Sequence, residues 1–316
     1  MIQRIISEIS LNRTFLIATH ENADGDAVGS SLALATYLSA LGKSVTVYSC
    51  DPLPDNYKFL PMAGSVLSFI PDRHFDICFV LDSGDICRTG NELKDFARIG
   101  KIINIDHHPD NKNFGTINLV DPNASATGAL IYRILTTAEY SIDYHTALCI
   151  YTAIVTDTGS FRYSNADQEA FDISGKMIAL GINPWFVSEM LYESQPIQRL
   201  ELLTMALSTL QVSERGNIAS ITVTRDMYEK TGATSDLTDG FINYPRSIRG
   251  VEVAVFFREI ENGTFKIGFR SKGKIDVSVL AAAFGGGGHH NAAGCKVSGS
   301  LEEVKNKVIS HVERLF

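Results

Sequence analysis

Cysteine is scarce, with five in 316 residues, and no two form a CxxC. Cys50, Cys78, Cys87, Cys149 and Cys295 are scattered and odd in number. That pattern argues against a disulfide framework or a thiolate zinc site, and it makes the reducing cytosol the expected compartment. Long apolar runs are missing too: no stretch approaches the roughly 20 residues a membrane helix needs. The opening MIQRIISEISLNRTF mixes charge into an amphipathic pattern, so it is not read as a secretory signal. Positive charge is in deficit, and the formal net charge is -8. A chain of that sign repels long polyanions, so neither a long duplex nucleic acid nor a membrane is expected as a partner. Small phosphorylated substrates stay open, because bound divalent ions reverse the charge locally. There is no internal repeat, and GGGG at 285–288 is the only low-complexity segment. What is present is 45% hydrophobic and 20% charged residues, the balance of a soluble globular protein long enough for two domains.

The first half alternates apolar strands with helical periodicity. TFLIATH (14–20) precedes a predicted helix over 27–41 with Gly42 as its C-cap. SVTVYS, DICFVLDSGD and GKIINIDHH supply further strands with unbroken apolar centres. Such strands, separated by helices, predict a parallel sheet covered on both faces. Helical spacing returns in HTALCIYTAIVTDTGSF and over 168–180, and GINPWF interrupts it. A helix-like connector is predicted over about 187–210. After Gly216 come the alternating strands IASITVT, VEVAVFFREI and TFKIGFRS, then an amphipathic helix over 301–315. The expected fold is α/β. A parallel-sheet domain over 1–186 is joined by a helical connector over 187–214 to a smaller α/β domain with a mixed sheet over 215–316. The connector offers a face through which a homodimer could form, and the sequence leaves the oligomeric state open.

Parallel sheets gather functional groups beyond the carboxyl ends of their strands. His20 ends the first strand, Asp82 ends another, and Asp106, His107 and His108 end a third. HENADGD adds Asp24 and Asp26 beside His20. An EF-hand is excluded, since the closing bidentate glutamate is missing. The bland alternative is a turn in which Asp26 caps the following helix. Asp85 lies further into its loop and reads as solvated or as a cap. Two histidines in succession cannot both point into the sheet, and Asp106 could orient an imidazole. Asp157 sits where an apolar helical run turns polar, unfavourably placed against the macrodipole, so a metal ion or Arg162 should hold it. Carboxylates with some imidazole and no thiolate suit manganese, magnesium or iron better than structural zinc. Two ions sharing a bridging carboxylate suit in-line attack on phosphorus.

HENADGD, VLDSGD, DHHPDN and TDTGSF resemble, in order, the four motifs of the DHH phosphoesterases. FGGGGHHNAAG resembles the GGGH-x-x-AAG signature of the DHH-associated C-terminal domain, so the likeness runs from His20 to Gly294. The compact length is most similar to the branch acting on nanoRNA and 3'-phosphoadenosine 5'-phosphate. It leaves no room for the extra nucleic-acid-binding domain of the larger single-strand exonucleases. The resemblance implies two divalent metal ions, Mn preferred, with Mg or Co as alternatives. It implies His20, Asp24 and Asp82 on one ion, and Asp26, Asp82, His107 and Asp157 on the other, with Asp82 bridging. Asp106 and His108 are the implied catalytic pair, with Asp106 behind the metals and His108 facing the substrate.

On its own, the glycine run reads either as a flexible loop or as a place where backbone N–H groups approach an anion. Arg246, Arg249, Lys272 and Lys274 read as surface residues kept for solubility. The resemblance implies that Arg270 and Ser271 grip a terminal phosphate, and that Gly286, Gly287, Gly288 and His289 belong to the same substrate site. His290 falls at a variable position. The first domain would cut the phosphoester and the second would hold a very short oligonucleotide or bisphosphate nucleotide, with the connector letting them close. The implied activity is hydrolysis of nanoRNA or linear dinucleotides such as pApA to mononucleotides, with removal of the 3'-phosphate of 3'-phosphoadenosine 5'-phosphate. The alternatives are a single-strand-specific exonuclease, an inorganic pyrophosphatase or exopolyphosphatase of the same superfamily, and a nucleotide-binding regulator without turnover. The glycine-histidine signature speaks against the pyrophosphatase branch, and the complete ligand set against the regulator.

Overall fold

Strands whose residues are apolar in succession must be covered on both faces, and the N-terminal unit meets that demand with a five-stranded sheet. The computed structural model describes the whole chain except Phe96 and Asn262, and except the side chains of Lys94, Asp95 and His289. Its residues divide into two compact units, Met1–Ser194 and Gln195–Phe316.

In the first unit the helices are α1 (Ile2–Leu11), α2 (Gly25–Ala40), α3 (Asn91–Asp95), α4 (Thr127–Thr137), α5 (Tyr144–Asp157), α6 (Gln168–Ala179) and α7 (Pro184–Ser188). The strands are β1 (Thr14–Thr19), β2 (Ser44–Tyr48), β3 (Phe75–Leu81), β4 (Ile99–Asp106) and β5 (Ile117–Val120). Every pairing is parallel, in the order β2-β1-β3-β4-β5. That order reverses between β1 and β3, and open α/β sheets form a crevice beyond the strand ends at such a reversal. His20 follows β1 and Asp82 follows β3, one on each side of it.

Helix α2 begins at Gly25, two residues before the predicted start, because Asp24 rather than Asp26 caps it. Its crossing with α5 is unusually close. A Cβ on Gly25 would lie 2.4 Å from Thr156, and one on Gly29 would lie 2.6 Å from the Cys149 carbonyl oxygen. These glycines, one turn apart, let the backbone of α2 rest directly on α5. Successive contacts move forward on α2 and backward on α5, so the start of one helix lies at the end of the other.

The helix predicted over 187–210 is divided. A π-helical turn, Glu189–Glu193, follows α7, and the next helix starts only after Pro196, which has no N–H to continue a ladder. In the second unit the helices are α8 (Ile197–Ser208), α9 (Arg225–Thr231), α10 (Asn243–Ser247), α11 (Val277–Ala282) and α12 (Leu301–Glu313). The strands are β6 (Gln211–Val212), β7 (Ile218–Val223), β8 (Val253–Glu261), β9 (Thr264–Ser271), β10 (Gly287–His289) and β11 (Ala292–Ser298). The sheet order is β10-β11-β9-β8-β7-β6, and it is mixed: β7 and β8 are parallel, the other pairings antiparallel. Val255, Phe257, Ile267 and Phe269 pack with Val304 and Val308 of α12, while Ile221 and Phe256 pack with Leu202 and Ala206 of α8. Alternating side chains of one sheet thus feed two cores, as the period of two requires. Among the described residues no helix is long and apolar enough to cross a membrane.

Candidate metal centre

The loop after β1 separates two carboxylates by function. Asp24 caps α2, its Oδ1 accepting from Asp26 N at 3.1 Å and Ala27 N at 3.0 Å. Asp26 is thereby spared the capping role, the alternative considered for it, and turns inward, where it is 1% exposed. A carboxylate that buried needs donors. The N-terminus of α4 supplies them, because its first N–H groups have no partner within the helix. Thr127 N donates to Asp26 Oδ2 at 2.6 Å, and Gly128 N donates to Oδ1 at 2.9 Å. Ser30 Oγ adds a third bond to Oδ1 at 2.9 Å.

Asp82 stands one residue beyond β3 with φ +55°, the left-handed region. For a residue other than glycine that conformation costs about 1–3 kcal/mol and persists where surrounding contacts enforce it. Asp82 N donates to Ile105 O at 3.0 Å, and Thr127 Oγ1 donates to Asp82 Oδ1 at 3.0 Å.

Around Asp82 the predicted ligands come together. His20 Nε2 lies 3.5 Å from Asp82 Oδ2 and 3.9 Å from Asp24 Oδ1. His107 Nε2 lies 3.7 Å from Asp26 Oδ2, 3.6 Å from Asp82 Oδ1 and 3.6 Å from Asp157 Oδ2. Three sets of ligand atoms each fall within 4.8 Å: His20, Asp24 and Asp82; Asp26, His107 and Asp157; and Asp82, His107 and His108. These separations are long for hydrogen bonds, yet two ligands each about 2.1 Å from one ion stand roughly 3.0–3.6 Å apart. The histidine tautomers agree with that use. His20 Nδ1 donates to Glu21 O at 2.8 Å and His107 Nδ1 to Ala124 O at 3.1 Å, which turns each Nε2 towards the carboxylates.

The electrostatics ask for a cation. Burial would lower both imidazoles, but the carboxylates beside them prevail and raise His20 and His107 to about 9. Burial would raise Asp82, but His20, His108 and His107 hold it well below the usual carboxylate range. Burial lifts Asp157 to about 7 against the pull of His107. Divalent ions would replace the protons that this cluster otherwise retains.

Asp157 closes α5, and its Oδ2 accepts from Asn165 Nδ2 at 2.8 Å. Arg162, the alternative partner, instead donates to Gly159 O at 2.7 Å. Asp85 caps the short turn after it and pairs with Lys112. Asp106 is fully buried and accepts from His108 Nδ1 at 2.6 Å, so the imidazole it orients is that of His108.

In the second unit the glycine run leaves a turn at Gly285 and, past Gly286, enters an edge strand at Gly287: β10 pairs with β11, and β11 with β9. The register puts His289, Ala292 and Arg270 on one row, while the side chain of His289 lies outside the described residues. A Cβ on Gly286 would lie 2.1 Å from Gly294 O, and Gly288 has φ +143°, so both positions need glycine. Gly287 stands between them in the exposed strand. Arg270 Nη1 donates to Phe269 O at 3.0 Å, and buried Ser271 accepts at Oγ from Gly273 N at 2.9 Å. His290 is tied to Gly273 O at 2.9 Å, and Lys272 Nζ to Ile248 O at 2.9 Å.

Residues 14–154 match the model of the DHH family N-terminal domain, and residues 217–316 match that of the DHHA1 domain. The chain is 31% identical to the bifunctional oligoribonuclease and PAP phosphatase NrnA of Thermus thermophilus, over 98% of this chain and 93% of the relative. The chain belongs to the DHH family. Among solved structures, an exopolyphosphatase-related protein from Bacteroides fragilis superimposes on this DHH chain with a TM-score of 0.92 and 31% identity, covering 99% of this chain and 95% of that one. RecJ of Thermus thermophilus, solved with Mn2+, shares the fold at a TM-score of 0.55 and 14% identity, over 99% of this chain and 53% of that one.

Sequence reasoning missed Thr127, Gly128 and Asn165, which hold the acidic side chains of this DHH site. The only signal was SATG ahead of an apolar run, an ordinary helix start. Nothing local tells that its first N–H groups meet a carboxylate 101 residues earlier.

Proposed function

We propose that this DHH protein is a metal-dependent phosphoesterase that hydrolyses very short oligonucleotides, nanoRNA and linear dinucleotides such as pApA, to mononucleotides. The same site would remove the 3'-phosphate of 3'-phosphoadenosine 5'-phosphate. The observation that supports the reading most is Asp82 at the sheet reversal, with Oδ2 at 3.5 Å from His20 Nε2 and Oδ1 at 3.6 Å from His107 Nε2. His20, Asp24 and Asp82 would hold one ion, and Asp26, Asp82, His107 and Asp157 the other, with Mn preferred and Mg or Co as substitutes. Two such ions, when bound, neutralise phosphoryl oxygens and make water a stronger nucleophile.

The chain's own groups do the rest. Asp106 fixes His108 by its Nδ1, so proton exchange with the leaving oxygen falls to Nε2. Arg270 and Ser271 would bind a terminal phosphate, a task suited to the two-pronged guanidinium. Gly286, Gly287, Gly288 and His289 would admit the nucleotide along the β10 edge. The activity named for the Thermus thermophilus relative supports this substrate class. The name of the Bacteroides fragilis protein, exopolyphosphatase-related, favours a second reading, hydrolysis of polyphosphate, with pyrophosphate as its shortest case.

Mn-dependent rates measured side by side on pApA, 3'-phosphoadenosine 5'-phosphate, a long single strand, polyphosphate and pyrophosphate test both. The proposal expects the first two to be turned over fastest. Faster cleavage of polyphosphate or pyrophosphate selects the second reading, comparable turnover of the long strand removes the preference for short substrates, and no turnover at all leaves a nucleotide-binding regulator.

A further inference from the structure

Asp106 has two carboxylate oxygens, and only one of them can serve His108. A carboxylate torsion is broad and nearly two-fold, so burial alone does not decide which oxygen points where. The amide of Asn111 decides it. Asn111 Nδ2 donates to Asp106 Oδ2 at 2.5 Å, while His108 Nδ1 donates to Oδ1 at 2.6 Å.

Asn111 is itself held from behind. Its Nδ2 also donates to Asn104 Oδ1 at 2.7 Å, and Asn104 is fully buried in β4. The Asn104 amide donates in turn to Val80 O and Ser83 O, both at 3.1 Å, which flank the left-handed Asp82. The two loops close on each other at the same place. Lys112 N donates to Gly84 O at 2.9 Å, and a Cβ on Gly84 would lie 3.4 Å from the Asn111 Cα and 3.6 Å from Asp106 Oδ2. A chain of amides therefore runs from the end of β3 to the imidazole beyond β4. It relates His108 to Asp82, whose Oδ1 is 3.7 Å from His108 Nδ1.

We infer that Asn111, braced by Asn104, is a positioning residue that locks the Asp106 carboxylate and so sets the orientation of the His108 ring relative to Asp82. The inference rests on the phosphoesterase reading for its rate consequence, though its geometric content does not.

Asn111→Asp is the deciding variant. Asn111 Oδ1 also accepts from Asn113 N at 2.6 Å, a local turn that aspartate makes equally well. Aspartate keeps that acceptor but sets a like charge against Asp106 in place of a donor. Asn111→Asp and Asn111→Ala are expected to lower kcat on pApA about 10–100-fold, while KM and the Mn dissociation constant stay within about twofold. In the Mg-loaded protein, the ring 15N resonances of His108 should move away from the single Nδ1-protonated tautomer. Wild-type kcat and an unmoved His108 spectrum in Asn111→Asp would reduce Asn111 to a turn residue and overturn the inference. A loss confined to Mn affinity would overturn it as well. If the wild-type protein hydrolyses nothing, the functional reading falls, and the His108 spectra of the variants still judge the positioning role.

Discussion

His107 and His108 are adjacent in the chain and differ in which group holds Nδ1. A backbone carbonyl holds that of His107, and a buried carboxylate holds that of His108. Either kind of anchor is found behind metal-binding imidazoles, so the proposed split, His107 as ligand and His108 as proton-exchange group, is decided by measurement. His107→Ala should weaken Mn binding by more than about 100-fold, beyond the usual effect of losing an outer partner. His108→Ala should leave Mn binding intact and lower kcat about 10²–10⁴-fold. Calorimetric titration with Mn and steady-state kinetics on pApA separate the two, and equal loss of metal in both variants would refute the assignment. That these carboxylates and imidazoles meet was legible beforehand, because such groups at strand ends are costly unless used. The amides and hydroxyls that orient them were not, since Asn and Thr are cheap in any loop. The capping alternative for Asp26 fails for a reason the sequence does not show: Asp24 and Asp26 both fit the start of a helix, and only the donors on α4 decide which one turns inward.

Helices α2 and α5 carry acidic residues at facing ends, Asp24 and Asp26 on one and Asp157 on the other. Their separation is set by Gly25 and Gly29 rather than by the acids themselves. Replacing glycine by alanine inside a helix ordinarily gains about 0.5–1 kcal/mol. Here the added methyl would sit 2.6 Å from the Cys149 carbonyl oxygen, and overpacking of that kind costs about 1–3 kcal/mol. Gly29→Ala should therefore destabilise the protein on balance, seen as a lower urea midpoint with an unchanged slope; a higher midpoint would show the crossing to be slack. Among the elements, β1, β3 and β4 were legible because their apolar runs are unbroken. Strand β5 was not, since four residues, buried Ile117 and three half-buried ones, are too few to show a period, and α4 was hidden by its modest length between two loops. The division of the predicted connector follows from Pro196, a signal present in the sequence and outweighed by the flanking apolar spacing.

At the scale of the molecule, the two-unit division sets acidic clusters against a chain already negative overall. Asp24, Asp26, Asp82 and Asp157 converge within the first unit, so bound cations should contribute to its folding as well as to chemistry. At free Mn of 100 times the dissociation constant, mass action supplies about 2.7 kcal/mol, and for a unit of this size that corresponds to about 5–10 °C in Tm. Scanning calorimetry before and after chelation should show a shift of that size in one transition. An unchanged melting profile would mean that the cluster is stable without ions.

The grip of α4 on Asp26 also has a consequence in time. During synthesis, His20, Asp24, Asp26, Asp82 and His107 all emerge before the residues that organise them. Asp26 gains its N–H donors only when a segment 101 residues later has folded back, and Asp157 arrives later still. A partly made or truncated chain therefore holds most of these side chains without the donors that fix them. The arrangement makes the geometry of the site depend on completion of the first unit.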